Sequence, residues 1–136
     1  MNSASDDIAT YFASLDAFGP IGGLSDFAIY VNDEPAKPDD VITLYDAPSP
    51  APARSMNDKT VKVKFTNFLI RVRGVNQKTT YDKIDALYTA LNDVESWITV
   101  NETNYMNFEP TTDIFRLQRD DNKRWVFAVN YQTVRK

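Results

Sequence analysis

The sequence predicts an α+β fold, in which two helices pack on a mixed, mainly antiparallel β-sheet. Two segments place apolar residues at three- and four-residue spacing, and most other apolar segments alternate as strands do. Helices and strands do not alternate one by one, which argues against a doubly wound parallel sheet. The predicted order is α-β-β-β-α-β-β-β. A length of 136 residues is typical of one domain, so we expect residues 1–136 to form a single unit.

The first helix is predicted near the N-terminus. Its apolar stripe consists of Ile8, Tyr11, Phe12, Leu15 and Phe18. Ser3 or Ser5 is the expected N-cap, and Asp6 and Asp7 follow it where the helix dipole favours negative charge. Residues 18–20 (Phe-Gly-Pro) are expected to end the helix, because glycine accepts a left-handed cap and proline cannot continue the helix.

Two strands and a proline-containing turn are predicted next. Residues 27–31 alternate as a strand does, and residues 41–47 are apolar on both faces, which favours an interior strand. The segment 32–40 between them is predicted to be a turn, because its prolines fix φ and bias the preceding residues toward extended geometry.

The third strand, residues 61–74, changes the parity of its apolar positions midway. Val61, Val63 and Phe65 share one parity, whereas Phe68, Ile70 and Val72 share the other. We expect a β-bulge near Thr66 and Asn67 to restore one buried face. The basic residues expected to point outward are Lys62, Lys64, Arg71 and Arg73.

The second helix is predicted over residues 79–94, with Thr79 or Thr80 as its N-cap. Its apolar stripe consists of Tyr81, Ile84, Leu87, Tyr88 and Leu91. The rest of the chain has β patterns and ends in a hairpin around the polar turn 120–123. The last strand is apolar on both faces, so we expect it to be central in the sheet or covered by another subunit.

A proline-rich segment lies between the second and third predicted strands. Five of the seven prolines fall between Pro35 and Pro52, and residues 46–60 show no periodicity. Long loops of this kind are usually functional or disordered. Proline favours stiff, extended segments, so we expect an arm that binds a neighbour through Pro48, Pro50, Pro52 and Arg54.

The composition excludes several classes of function. The chain has no cysteine and no histidine, which removes disulfides, thiolate nucleophiles, histidine-dependent catalysis and the usual transition-metal sites. We expect no cofactor and no metal. The net charge of −4 argues against DNA binding as a main activity. The N-terminus lacks the pattern of a secretory signal, so we expect the chain to stay in the cytoplasm where it is made.

Carboxylate pairs are the catalytic candidates that remain. They are Asp6 with Asp7, Asp39 with Asp40, Asp82 with Asp85, and Asp120 with Asp121. A general acid needs a carboxyl group in an apolar cleft that raises its pKa. These residues lie in turns or at helix starts, where capping and solvation explain them. We therefore expect no catalytic residue.

Two arginines and two aromatic residues are candidates for contact with a partner. Arg71 and Arg73 share one strand face, where they form ordinary surface ion pairs or bind a partner's carboxylate or a phosphate. Trp125 and Phe127 share one face of the last strand, and aromatic residues in strands are usually core or interface. Trp97 has the same alternatives. The residues themselves favour a non-enzymatic module that works through protein–protein contact.

Three motifs resemble the bacteriophage minor capsid and tail-terminator family of long-tailed phages. They are AIYVNDEPAKPDDVITLYD (residues 28–46), LIRVRG (residues 69–74) and the helix Tyr81–Leu91. The resemblance covers about residues 8–95. One departure is the sequence Ala-Pro-Ser-Pro-Ala-Pro-Ala after Tyr45-Asp46, where the family often has a glycine-rich turn.

The resemblance implies a virion protein that forms a ring, usually a hexamer, on the last ring of the tail tube. Such a ring stops tube growth and offers a surface to the head–tail connector or stopper protein, and DNA passes through its lumen without specific binding. The implied partners are further copies of the chain, the tail-tube protein and the connector. The alternatives are another neck or tail-completion protein, a tail-tube subunit, or, in a different class, a small ligand-binding or carboxylate-hydrolase domain.

Overall fold

The computed structural model describes residues 2–15, 22, 27–49, 53–54, 61–94 and 97–135. The helices are α1 (Ala4–Ser14) and α2 (Gln77–Asn92). The strands are β1 (Ala28–Val31), β2 (Val41–Ala47), β3 (Ala53–Arg54), β4 (Val61–Gly74), β5 (Trp97–Val100), β6 (Thr103–Pro110), β7 (Phe115–Leu117) and β8 (Trp125–Arg135). The described part of the chain thus contains two more strands than the predicted order, and β3 lies within the predicted loop.

The strands form one sheet in the order β1-β2-β4-β8-β6-β5, with β3 beside β4 and β7 beside β8. β1 and β2 are parallel, and all other pairs are antiparallel. The prediction of a mixed, mainly antiparallel sheet with two helices is therefore confirmed. The long strands β4 and β8 lie at its centre, as expected for a last strand that is apolar on both faces.

Both helices pack on the same face of the sheet, which we call the inner face. The core between the layers is built from alternate strand residues such as Phe68, Ile70, Val129 and Tyr131, together with Ile8 and Phe12 of α1 and Ile84 and Leu87 of α2. The rings of Phe68 and Tyr131 stack at 5.6 Å across the central strand pair. The amphipathic stripes of both predicted helices therefore face the sheet.

The predicted N-cap is confirmed for one helix and wrong for the other. The Ser3 side chain accepts a hydrogen bond from the Asp6 amide and caps α1. For α2 the cap is Asn76, whose Oδ1 accepts from the Thr79 amide at 3.0 Å, and not Thr79 or Thr80. The helix α1 ends at Ser14. The predicted end at residues 18–20 lies outside the described residues.

The bulge predicted near Thr66 and Asn67, in the strand that is β4 of the structure, is wrong. β4 pairs with β8 in unbroken register from Lys64 opposite Arg135 to Gly74 opposite Trp125. The inner face keeps one parity from Thr66 onward, and Phe65 lies on the other, outer face, where it is exposed. The expectation of a bulge assumed that every large apolar residue turns inward, and Phe65 does not.

The segment 32–40 is a crossover loop and not a tight turn. Because β1 and β2 are parallel neighbours, the chain must return along the length of the strands before β2 begins. Nine residues make that connection. The loop contains a cis peptide bond between Lys37 and Pro38. It lies over the outer face at the end of the sheet where β4 finishes, as its contacts with Arg73 show.

Candidate interaction surfaces

Two buried arginines fix the crossover loop 32–40 to the sheet. The Nη2 atom of Arg73 donates a hydrogen bond of 2.7 Å to the carbonyl oxygen of Pro38. The Nη1 atom of Arg124, the residue directly before β8, donates one of 2.8 Å to the carbonyl oxygen of Ala36. Guanidinium groups suit this position, because each has several N–H donors for loop carbonyl groups that are not paired in the sheet. These contacts make the loop a fixed part of the outer face.

Arg71 and Arg73 both lie on the outer face, but the expectation that both are exposed is wrong. The Arg73 side chain is only 3% exposed, since the loop covers it, and burial lowers its pKa while Glu34 opposes that shift. Glu34 Oε2 lies 3.5 Å from Arg73 Nη1, and Glu34 Oε1 lies 3.1 Å from Arg71 Nε. Arg71 keeps 30% exposure, so it is the one of the pair that a partner can reach.

A buried polar network attaches α1 to strands β6 and β8 and to the turn between β5 and β6. The fully buried carboxylate of Asp7 accepts a hydrogen bond from the hydroxyl group of Tyr105 and another, of 2.8 Å, from Asn101. Arg135 donates to the Tyr105 hydroxyl group at 3.4 Å and to the Asn2 carbonyl oxygen at 2.8 Å. Burial and the bond to Asp7 raise the pKa of Tyr105, so its hydroxyl group remains a donor at neutral pH.

A second polar contact holds α1 against β2. Asp46 Oδ1 accepts hydrogen bonds from the amide and the hydroxyl group of Ser5, at 3.0 and 2.9 Å. Asp46 Oδ2 accepts from Asn32 at 2.9 Å. Burial alone would raise the pKa of Asp46, but these hydrogen bonds outweigh it and lower the pKa. The Tyr-Asp end of the second strand motif thus has a structural role here.

The carboxylate pairs serve mainly in turns, caps and ion pairs. The carboxylate of Asp120 accepts from Arg124 Nε at 2.7 Å and from the Arg124 amide at 2.8 Å. Burial opposes the effect of these bonds, yet the pKa of Asp120 is lowered, which is the opposite of what a general acid needs. Within the described ranges, no three acidic residues are grouped so that they could hold a metal ion.

Four apolar residues form a line across the outer face at one end of the sheet. The strand registers place Trp97 opposite Met106, Met106 opposite Val134, and Val134 opposite Phe65. Residues opposite each other in antiparallel strands share a face. Trp97 is 63% exposed, and Phe65 and Met106 are also exposed. We call these four residues the apolar row.

A second exposed apolar surface lies at the opposite end of β4. Tyr81, in the first turns of α2, is 44% exposed and meets Phe127 edge to face at 5.5 Å. Val75, directly after β4, is exposed as well, and Trp125 lies opposite Gly74 at the same end. We call Val75, Tyr81, Trp125 and Phe127 the Tyr81 surface.

The Tyr81 surface contains the two aromatic residues predicted as contacts. Trp125 is partly buried, and the guanidinium of Arg119 lies 4.5 Å from the centre of its ring. Phe127 is largely buried under Tyr81. Shallow cavities of about 440 Å³ and 470 Å³ lie beside Phe127 and Trp125, so both rings border surface that a partner side chain can enter.

The described part of the proline-rich arm is attached to β4. Asn67 donates from its side chain to the Pro48 carbonyl oxygen at 2.7 Å and from its amide to Ser49 Oγ at 2.9 Å. Ala53 and Arg54 pair with Val63 and Val61 of β4, so this part of the predicted loop is a short strand. Pro50, Pro52 and the side chain of Arg54 lie outside the described residues.

Sequence patterns alone do not predict the apolar row or much of the Tyr81 surface. They leave Trp97 open between core and interface, predict that Phe65 is buried, and do not distinguish Met106 from its neighbours. One signal is available, because Phe65 has the wrong parity for the inner face of β4. Which face each strand buries depends on the pairing between strands, and the sequence of one strand does not determine that pairing.

The fold and these surfaces define a two-layer α+β protein with polar contacts used internally and aromatic residues left exposed. This is the character of a subunit that works through contacts with other proteins. Residues 6–136 match the family described as bacteriophage tail terminator protein. The chain belongs to the bacteriophage tail terminator family.

The family assignment confirms the resemblance seen in the sequence and extends it beyond residue 95. The protein is a structural component of a phage tail, with a role in tail completion. Comparison with curated proteins finds no significant match. No helix among the described residues is long and apolar enough to span a membrane.

Proposed function

We propose that the protein terminates the phage tail as a closed ring, most simply a hexamer, on the last ring of the tail tube. The ring stops tube polymerisation and presents its other side to the connector or stopper protein of the head. The observation that carries this proposal is the family match over residues 6–136. The same match supports treating residues 1–136 as one domain, with the extended arm at about residues 46–60 as part of it.

Heterologous contacts between copies close such a ring by rotation. Trp125, Phe127 and Arg71 are candidates for these contacts, because each borders solvent. The arm, with Pro48, Pro50, Pro52 and Arg54, is a second candidate, and its attachment to β4 would direct it from a fixed point. Arg73 contributes indirectly, since its guanidinium is used by the crossover loop.

The charge of the chain suits a ring through which DNA passes. With a net charge of −4, the protein lacks the basic field that retains nucleic acid. DNA then moves through the lumen without specific binding. A lumen rich in exposed lysine and arginine in a solved ring would contradict this part of the proposal.

The test is negative-stain electron microscopy of the purified protein, alone and mixed with purified tail tubes. We expect single closed rings, rings at one end of each tube, and tubes that no longer grow when tube protein is added. Long open tubes formed by the pure protein would instead identify a tube subunit. A monomer that neither forms rings nor binds tubes would contradict the proposal and favour the ligand-binding or hydrolase alternative.

A further inference from the structure

We propose that the apolar row of one copy docks on the Tyr81 surface of the next copy, and that this head-to-tail contact closes the ring. The inference rests on the proposed ring and adds which two surfaces meet. Trp97 is the central residue of the contact, and the cavity beside Tyr81 and Phe127 receives it.

The first support is the distribution of exposed apolar residues. The large hydrophobic residues that are exposed in the described ranges are Phe65, Val75, Tyr81, Trp97 and Met106. All of them belong to one of the two surfaces, and none lies elsewhere on the described part of the molecule. Exposed apolar patches of this kind mark sites of contact with other proteins.

The second support is the position of the two surfaces. Phe65 and Gly74 are nine residues apart on β4, which corresponds to about 30 Å along the strand. The apolar row is at one end of this strand and the Tyr81 surface at the other. Two different patches at opposite ends of one subunit make a heterologous contact, whereas a self-complementary patch would make only a dimer.

The third support is the composition and charge around each surface. Among the residues whose side chains the structure describes, the outer-face neighbours of the apolar row are Asn67, Thr99, Asn104, Glu109 and Gln132, which include an acidic residue but no basic one. The Tyr81 surface is bordered by Arg116 and Arg119 beside Trp125, and by Lys78, which pairs with Asp82 at 3.5 Å. An aromatic centre with little charge is typical of an interface core, and the arginines beside Trp125 are opposite in charge to Glu109.

The shapes of the two surfaces are also complementary. The row projects, because the Trp97 side chain stands on an edge strand that pairs only with β6 among the described strands. The Tyr81 surface is hollow, with a cavity of about 440 Å³ lined by Gln77, Lys78, Tyr81 and Phe127. A projecting tryptophan and an aromatic-lined cavity form the kind of pair that dominates binding energy.

The experiment uses the full chain with Trp97→Asp, with Tyr81→Asp, and with Thr89→Asp as a matched control on an exposed position of α2. Circular dichroism and thermal unfolding check that each variant is folded. Light scattering and electron microscopy then measure assembly, alone and with tail tubes. We expect each of the first two variants to weaken self-association by about 30-fold or more, and the control to assemble as the wild type does.

Mixing the two variants tests the head-to-tail arrangement directly. The Tyr81→Asp chain keeps an intact apolar row, and the Trp97→Asp chain keeps an intact Tyr81 surface. An equimolar mixture therefore has one competent contact, and we expect heterodimers that do not grow into rings. A charge exchange, Glu109→Lys with Arg116→Glu in one chain, is expected to restore association that either change alone weakens.

The outcomes separate this inference from the proposed function. If the wild-type chain forms rings and both aspartate variants still form them, the inference is overturned and the proposed ring function stands. The inference is also overturned if Tyr81→Asp assembles as the wild type does and only Trp97→Asp loses assembly. The apolar row would then contact something other than the Tyr81 surface. A mixture of the two variants that forms no heterodimers would overturn the inference as well. A wild-type chain that forms no ring, with or without tubes, overturns both proposals.

Discussion

Arg73 Nη2 donates a hydrogen bond of 2.7 Å to the carbonyl oxygen of Pro38, so a strand arginine holds the loop that crosses above it. Replacing Arg73 by Met removes this bond and the Nε bond of 3.1 Å to the Asp39 carbonyl oxygen. It also removes a partner of the Glu34 carboxylate, which lies 3.5 Å from Arg73 Nη1 and is only 15% exposed. We expect Arg73→Met to lower the free energy of unfolding by about 3 kcal/mol, measured by urea denaturation.

Arg71→Met is the matched control for that substitution. Arg71 is partly exposed, and its contact with Glu34 is an ion pair whose atoms are not aligned for a hydrogen bond. Its loss should cost about 0–1 kcal/mol. Equal effects of the two substitutions on stability would show that Arg73 does not have the special structural role assigned to it.

The buried pair Asp7 and Tyr105 carries a second prediction. Tyr105→Phe removes the hydroxyl group that donates to the fully buried carboxylate of Asp7 and accepts from Arg135. We expect a loss of about 2 kcal/mol in the free energy of unfolding, because a buried charged acceptor loses a donor. Tyr81→Phe removes an exposed hydroxyl group and should change stability by less than about 0.5 kcal/mol.

A double-mutant cycle with Asp7→Asn tests whether these groups act together. If the hydrogen bond is the cause, the two changes combined should cost less than the sum of the single changes by about 1 kcal/mol or more. Additive effects would mean that the hydroxyl group of Tyr105 stabilises the protein independently of Asp7, for example through Arg135.

Periodicity predicted which segments form helices and strands, because one buried face per element is a local property of the sequence. The stripe of α2 and the doubly apolar pattern of β8 correspond to elements that lie where expected. The hairpin around residues 120–123 is also present, with Phe115 opposite Ala128.

The errors have a common physical cause, which is that they depend on contacts between distant segments. Arg73 is buried because β1 and β2 are parallel, and the returning loop then covers it. Phe65 and Trp97 are exposed because nothing in the described part of the chain covers that end of the outer face. A rule that places every large apolar residue in the core therefore fails for Phe65 and Trp97.

Gly74 provides a third prediction. A Cβ atom at this position would overlap the hydroxyl group of Thr80, which is buried and donates to the Asn76 carbonyl oxygen at 2.6 Å. We expect Gly74→Ala to destabilise the protein by about 1–3 kcal/mol, since the crowded junction between β4 and α2 cannot relax freely. Differential scanning calorimetry measures the effect.

Thr80→Ala should partly rescue Gly74→Ala, because it removes the atom that clashes. The double variant is expected to be more stable than the sum of the two single effects predicts, by about 1 kcal/mol. Lack of any rescue would place the strain of Gly74→Ala elsewhere, for example at the Asp40 carboxylate, which would lie 3.0 Å from the new Cβ atom.

The depressed pKa of Asp46 gives a prediction for acid stability. Because the folded-state pKa lies below the unfolded value of about 3.9, the charged form stabilises the folded chain. That stabilisation is complete above the unfolded pKa and is lost as the pH falls through the lower, folded pKa. Asp46→Asn removes the charge, and because solvent screens this exposed residue, the cost at pH 7 should be below about 1 kcal/mol and should decrease as the pH is lowered below 4. Urea unfolding of both chains at pH 7, 4 and 3 measures the difference, with Asp121→Asn as an exposed control. A cost that stays constant over this range would mean that the side chain acts through its shape and not through its charge.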